Sequence, residues 1–229
     1  MTRMDVLDRP VWSALRTGWS HLAEGEGHAL RLNQDYGPFG AVPDISSESL
    51  DALAGIIPPA GELWLVQREG VTAPPGATIR KAAPVTQMVV ERIASPSHTI
   101  AFEPLSERDA SQMLELALLT VPGPFAPMTH RLGRFIGVKQ DGQLIAMAGE
   151  RMSMPGFREV SGVCTHPDHR GQGYAQALMA IITQRILDEG DTPFLHAYAT
   201  NRMAIELYER LGWQVRAPMI TAILSRCEA

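Results

Sequence analysis

Val163-Cys-Thr-His-Pro-Asp-His-Arg-Gly-Gln-Gly-Tyr-Ala175 is an apolar strand end that passes through a proline into a turn holding two glycines and then opens a helix. A strand that feeds a glycine-bearing turn and a helix start is the outline of a phosphate cradle. The first backbone N–H groups of a helix have no intrahelical partner, and the helix dipole adds about half a positive charge there. Anionic oxygen is therefore held locally. Gly171 and Gly173 supply positive φ and keep side chains from blocking the approach of a phosphate. Two better-known nucleotide loops do not fit the same residues: a Walker A loop needs Gly-Lys-Ser/Thr, and a dinucleotide fingerprint needs a small residue where Gln176 stands.

Around this stretch the chain alternates strand and helix signals. Upstream, Thr99–Glu103 reads as a weak strand and Ser106–Leu119 as a helix, with Met113, Leu114, Ala117 and Leu118 at helical spacing behind the cap candidate Ser106. A Pro- and Gly-rich loop, Val121–Met128, follows. Phe135–Lys139 and Leu144–Met152 flank Asp141-Gly142, a hairpin signal, and Phe157–Thr165 is the strand that enters the glycine turn. Downstream come a helix at Gly173–Asp188, a strand at Phe194–Tyr198, a helix at Asn201–Leu211 and a last strand or strands within Trp213–Ser225. The order β-α-β-β-β-α-β-α-β predicts an α/β (α+β) fold.

The first 95 residues are less regular. Val11–Glu24 is amphipathic, Ser47–Gly55 reads as a capped helix, and Glu62–Gln67 and Thr86–Arg92 read as strands separated by a loop at Ala73–Gly76. Trp12, Trp19 and Trp64 are too much aromatic surface for so irregular a segment to bury alone, so it is expected to pack as a smaller lobe on the rest.

Composition bounds the function. With 229 residues, 45% hydrophobic and 20% charged, the chain is globular rather than disordered or membrane-spanning. Its 20 Lys+Arg against 25 Asp+Glu give a net charge of -5, no field for nucleic acid. Two cysteines favour a reducing compartment, and the charged N-terminus has no apolar export segment, so a cytoplasmic location without membrane contact is expected. Cys164, His166 and His169 invite a zinc reading, but no fourth ligand stands nearby and no metal is expected.

The passage Asp168-His169-Arg170-Gly171-Gln172-Gly173 resembles the pyrophosphate loop of the GNAT superfamily of acyl-CoA-dependent N-acyltransferases, Gln/Arg-x-x-Gly-x-Gly/Ala, with Asp168 departing from the first position. A second stretch, Asn201-Arg-Met-Ala-Ile-Glu-Leu-Tyr-Glu-Arg-Leu-Gly-Trp213, is similar to that family's Asn-x-x-Ala-x-x-Leu-Tyr-x-x-x-Gly-Phe/Trp. The resemblance covers roughly residues 98–226. It implies a mixed, mostly antiparallel sheet flanked by helices, with the transferase domain over 96–229; residues 1–95 lie outside it, and the smaller α/β lobe they are expected to form, of unassigned function, is expected to cover part of the acceptor site.

The resemblance further implies acetyl-CoA as co-substrate and a primary amine of a small molecule or peptide as acceptor. Backbone groups of Val163 and Thr165 would pair with the pantetheine arm. The N–H groups of Arg170, Gly171, Gln172, Gly173, Tyr174 and Ala175 would face the pyrophosphate, with Asn201 beside them and Tyr208 as the acid that protonates the departing sulfur. For the base the residues leave two candidates: Glu159, which by strict alternation points with Ser161, Val163 and Thr165, and Glu150 on the preceding strand. An idle acyl-CoA-binding module that engages a protein partner is the alternative function.

Overall fold

A computed structural model describes residues 4–94 and 99–227. Near the N-terminus, helix α1 (Pro10–Leu15) is followed by strands β1 (Ala23–Glu24), β2 (Leu30–Leu32) and β3 (Gly40–Ala41), which make a small antiparallel sheet. Helix α2 (Ser47–Ile56) then leads to β4 (Leu63–Gln67) and the long β5 (Ala77–Val89). The remainder runs β6 (Glu103–Pro104), α3 (Ala110–Thr120), β7 (Phe135–Gln140), β8 (Gln143–Met154), β9 (Phe157–Thr165), α4 (Tyr174–Asp188), β10 (Thr192–Tyr198), α5 (Arg202–Arg210) and β11 (Gln214–Arg226).

Strands β4 to β11 form one eight-stranded sheet in the order β4-β11-β5-β10-β9-β8-β7-β6. Every neighbouring pair is antiparallel except β9 with β10. The fold is thus mixed α+β with a mostly antiparallel sheet. Helix α4 covers one face through Leu178, Met179, Ile182 and Ile186, which pack on Ile136, Ala146, Ala148 and Val160. The other face receives Met113, Leu116 and Ala117 of α3 on Phe135, Leu144, Met147 and Cys164, and a third cluster joins Leu7, Val11, Leu15 and Trp19 to Met152, Phe157 and Phe194. Trp19 also donates its indole N–H to the Arg151 carbonyl at 3.2 Å.

Local chemistry accounts for the elements read correctly. Asp141 and Gly142 take φ of 51° and 81°, the two positive values a type I′ hairpin turn needs. Ser106 and Asp109 form a reciprocal capping box ahead of α3.

Other expectations are corrected. The cap of α2 is Ser46, whose hydroxyl accepts from the Ser49 N–H, rather than Ser47. The amphipathic stretch at Val11–Glu24 is helical only to Leu15 and then turns through a 3-10 turn at Ser20–Leu22. The strand expected over Thr99–Glu103 contributes only Glu103 to β6. The strand expected at Thr86–Arg92 begins nine residues earlier, at Ala77: Pro84 and the exposed Arg80-Lys81 disguise a strand that pairs with β11 along its length. Strands β4 and β5 lie on the N-terminal side of the boundary drawn at residue 95, which is outside the described residues, so the chain on that side shares the large sheet with the C-terminal segment.

Candidate active site

The parallel pair β9 and β10 is in register only from Thr192↔Phe157 to Phe194↔Glu159. Beyond it β9 continues along β8 as far as Ala146↔Thr165, and β10 continues along β5 as far as Tyr198↔Val85. The two strands share no further pairs, so the sheet opens as a V whose vertex is at Glu159 and Phe194. A cavity of about 700 Å³ occupies this opening.

At the open end lies the glycine turn. Gly171 and Gly173 have φ of 77° and 78°, and a Cβ built on Gly171 meets no protein atom within 4 Å. The glycine faces open space, so its backbone is accessible to a ligand. Gly173 caps α4, whose first intrahelical bond runs from the Ala177 N–H to the Gly173 carbonyl, leaving the N–H groups of Tyr174, Ala175 and Gln176 at the cavity wall. Thr165 lines the cavity as well, and its buried Oγ1 has no hydrogen-bond partner among the described residues. An open backbone cradle, a helix start and an orphaned hydroxyl fit a phosphate-bearing ligand with a polar arm.

On the opposite wall, α5 presents Asn201, Ala204, Leu207 and Tyr208, residues that recur on one helical face. The Asn201 carboxamide oxygen accepts from the Ala204 N–H at 3.2 Å and so caps the helix. Burial pushes the Tyr208 phenol above its ordinary value, so it stays protonated at neutral pH. Burial likewise pushes the Cys164 thiol up to about 11, despite its hydrogen bond with Thr120. Val163, Thr165, Arg170, Gly171, Gly173, Tyr174, Ala175, Asn201 and Tyr208 therefore share one cavity, whereas Gln172, Glu159 and Glu150 do not line it.

The alternation that aligned Glu159 with Val163 and Thr165 is broken by two bulges. Between Met147↔Cys164 and Gly149↔Ser161, β9 carries two residues, Gly162 and Val163, against one on β8. Gly162 has φ of 63°, and a Cβ there would meet the Phe135 ring at 2.8 Å. Val163 consequently packs on the α4 side with Val160, and Cys164 on the α3 side. Between Glu150↔Val160 and Ser153↔Arg158 the extra residue is on β8, so Arg151 and Met152 both oppose Glu159.

Glu159 is 1% exposed and fully engaged. It accepts from Arg151 Nε at 2.8 Å and Nη2 at 2.9 Å, from His196 Nδ1 at 2.9 Å and from the Met152 N–H at 3.4 Å. Burial alone would raise its pKa, but Arg151 and then His196 outweigh it and hold the carboxyl down at about 2. The Gln87 amide fixes the histidine: its oxygen accepts from Arg216 at 2.8 Å, so its nitrogen donates both to the Leu7 carbonyl at 2.9 Å and to His196 Nε2 at 3.0 Å. Both His196 nitrogens are thus occupied. Glu150 lies elsewhere, among Arg134 at 3.0 Å, Arg185 at 2.7 Å and Arg158 at 3.3 Å.

Sequence reasoning passed over Arg151 and His196, both of which line the cavity. His196 stands inside the otherwise apolar run Phe194–Ala197, which is a signal in the sequence, whereas Arg151 sits beside Glu150 and Ser153 and carries no such mark. Among the described residues, no group of three His, Cys, Asp or Glu is placed to hold a metal.

A strand-splayed sheet with a glycine cradle at its mouth defines an acyltransferase-type site, and comparison with known proteins agrees. A family model described as FR47-like protein matches residues 135–220. A solved structure from Novosphingobium aromaticivorans, described as an acetyltransferase from the GNAT family, is 41% identical over 97% of this chain and 99% of its own, with a TM-score of 0.90. The chain belongs to the GNAT family. A GCN5-related N-acetyltransferase from Kribbella flavida, 18% identical over 96% of this chain and 95% of its own with a TM-score of 0.63, shares the fold. So does a GCN5-related N-acetyltransferase-like protein from Streptococcus suis, 16% identical over 93% and 91% with a TM-score of 0.57. No curated protein is similar enough to the chain to count as a match.

Proposed function

We propose that the protein moves an acetyl group from acetyl-CoA to a primary amine by direct transfer. The observation that carries the reading is the V between β9 and β10 with the Gly171–Gly173 cradle at its mouth and Tyr208 on its wall. When bound, the co-substrate supplies an activated thioester. The cradle N–H groups from Gly171 to Ala175 hold its pyrophosphate, the Arg170 N–H being turned instead to the Pro167 carbonyl at 3.3 Å, and the unpaired edge of β9 at Val163 and Thr165 orders the arm. Tyr208, kept protonated by burial, gives its proton to the departing sulfur.

The amine's own proton needs a different account from the one the sequence offered. Neither Glu159 nor Glu150 lines the cavity, and among the described residues its wall holds no carboxylate while it does hold Arg151 and Arg170. Such a wall disfavours an ammonium and favours the neutral amine, so the acceptor reacts as the free base and its proton passes to solvent. The raised thiol of Cys164 makes it a poor nucleophile at neutral pH, which supports direct transfer over an acyl-enzyme. Phe39 and Trp64, held side by side by an isolated backbone bridge just before β3, line the cavity on the acceptor side, which supports a covering role for the N-terminal segment.

Incubation with acetyl-CoA and a panel of amines, followed by thiol release, tests the reading. Amine-dependent release is expected. CoA binding without turnover of any amine would leave a binding module instead.

A further inference from the structure

We infer that the acceptor is an amino acid with a free carboxylate and an apolar side chain, and that Arg151 receives the carboxylate; the inference rests on the transferase reading above. Arg151 is 9% exposed, yet its guanidinium is not used up. Nε and Nη2 are committed to Glu159, its centre lies 4.8 Å from the centre of the Phe39 ring, and Nη1 has no hydrogen-bond partner among the described residues. That nitrogen points toward the cavity loop, where a Cβ built on Gly123 would lie 3.9 Å from it. A guanidinium fixed on three sides and open on the fourth is pre-organised to donate to one more oxyanion.

Position separates this group from the co-substrate's phosphates. Glu159, which holds Arg151, is at the vertex of the V, six strand residues or roughly 20 Å from Thr165 at the far end of β9, beyond which the glycine turn lies. Arg151 therefore stands where the acyl end and the acceptor meet. The surrounding wall is apolar and aromatic, with Phe39, Trp64, Val66 and Val85. Its arginines among the described residues are Arg151 and Arg170, and its histidines are His169 and His196. A polyamine or aminoglycoside would meet cations and no carboxylate there; an apolar amino acid meets a donor for its carboxylate and a surface for its side chain.

The test has two parts. CoA affinity is measured by calorimetry on the wild type, Arg151→Lys and the double variant Arg151→Met/Glu159→Gln, which leaves no buried charge unpaired. Turnover is then measured with leucine and phenylalanine, with their carboxamides, and with spermidine, using acetyl-CoA and succinyl-CoA. Leucine and phenylalanine are expected to exceed their carboxamides by about tenfold or more in kcat/KM, mostly through KM, with that ratio falling toward one in both variants while CoA affinity holds. Equal use of acid and carboxamide, a preference for spermidine, or no turnover of either amino acid overturns the inference and leaves the transferase reading intact. A preference for succinyl-CoA assigns Arg151 to the donor and also overturns it. Failure of the wild type to bind CoA overturns both.

Discussion

Glu150 and Glu159 are both buried carboxylates on adjacent strands, 3% and 1% exposed, and both are met by arginine, yet they lie on opposite faces of the sheet and serve different ends. Glu150 draws in Arg134, Arg158 and Arg185, and Glu189 and Asp191 take the outer donors of that group, so the last turn of α4 is tied to β8 and β9. It touches no part of the splayed cavity. Glu159 holds a single guanidinium and leaves one of its nitrogens facing the cavity. The first cluster fastens a helix; the second aims a donor. Burial and charge alone do not distinguish them, whereas the leftover valence does.

Several substitutions sharpen this contrast. The largest effect lies outside both clusters: Gly173→Asp puts a side chain on a residue at φ of 78° and a negative charge at the start of α4, and CoA binding measured by calorimetry is expected to vanish in a folded protein. Next, Tyr208→Phe keeps the ring and deletes the proton donor, with an expected fall in kcat of about 10²–10⁴-fold and CoA affinity unchanged. A core tyrosine would cost stability instead. Third, Glu150→Ala takes the acidic partner from Arg185 while Arg134 and Arg158 keep Glu189 and Asp191, and urea denaturation should record a loss of about 1–3 kcal/mol with the kcat of the folded fraction preserved. Loss of kcat in that variant would erase the distinction between the clusters.

The smallest effect is a pH dependence. Glu159 titrates at about 2 when folded, below its ordinary 4.5, so ionisation favours the folded state. Its contribution is fully present above pH 4.5 and is lost as pH falls toward 2. Glu159→Gln is expected to flatten the acid limb of stability between those values, and to raise acceptor KM by loosening Arg151. A variant whose activity recovers at high pH would restore Glu159 as the base.

The two regions also differ in how far they were legible from sequence. The cradle, α4, β10 and α5 follow directly from Gly171, Gly173, Gly190 and Asn201, because caps and positive-φ turns are local and leave local signatures. The Glu159 cluster depends on the bulge at Gly162 and the extra residue at Arg151–Met152, which reverse the facing of residues that strict alternation puts together. It depends also on Gln87, brought to His196 by a strand that Pro84 hides, and on the Leu7 carbonyl that accepts from the same amide. Contacts between residues so far apart in the chain carry no periodic mark.

The account stands on an acyl-CoA lying in the V with its pyrophosphate on the glycine turn, and amide hydrogen exchange reads that directly. Saturating CoA should slow exchange at the backbone N–H groups of Gly171 to Ala175 and along the open edge of β9 at Val163 and Thr165, with little change in the Glu150 cluster. Saturation by CoA that leaves the exchange of residues 163–175 unaltered would contradict it.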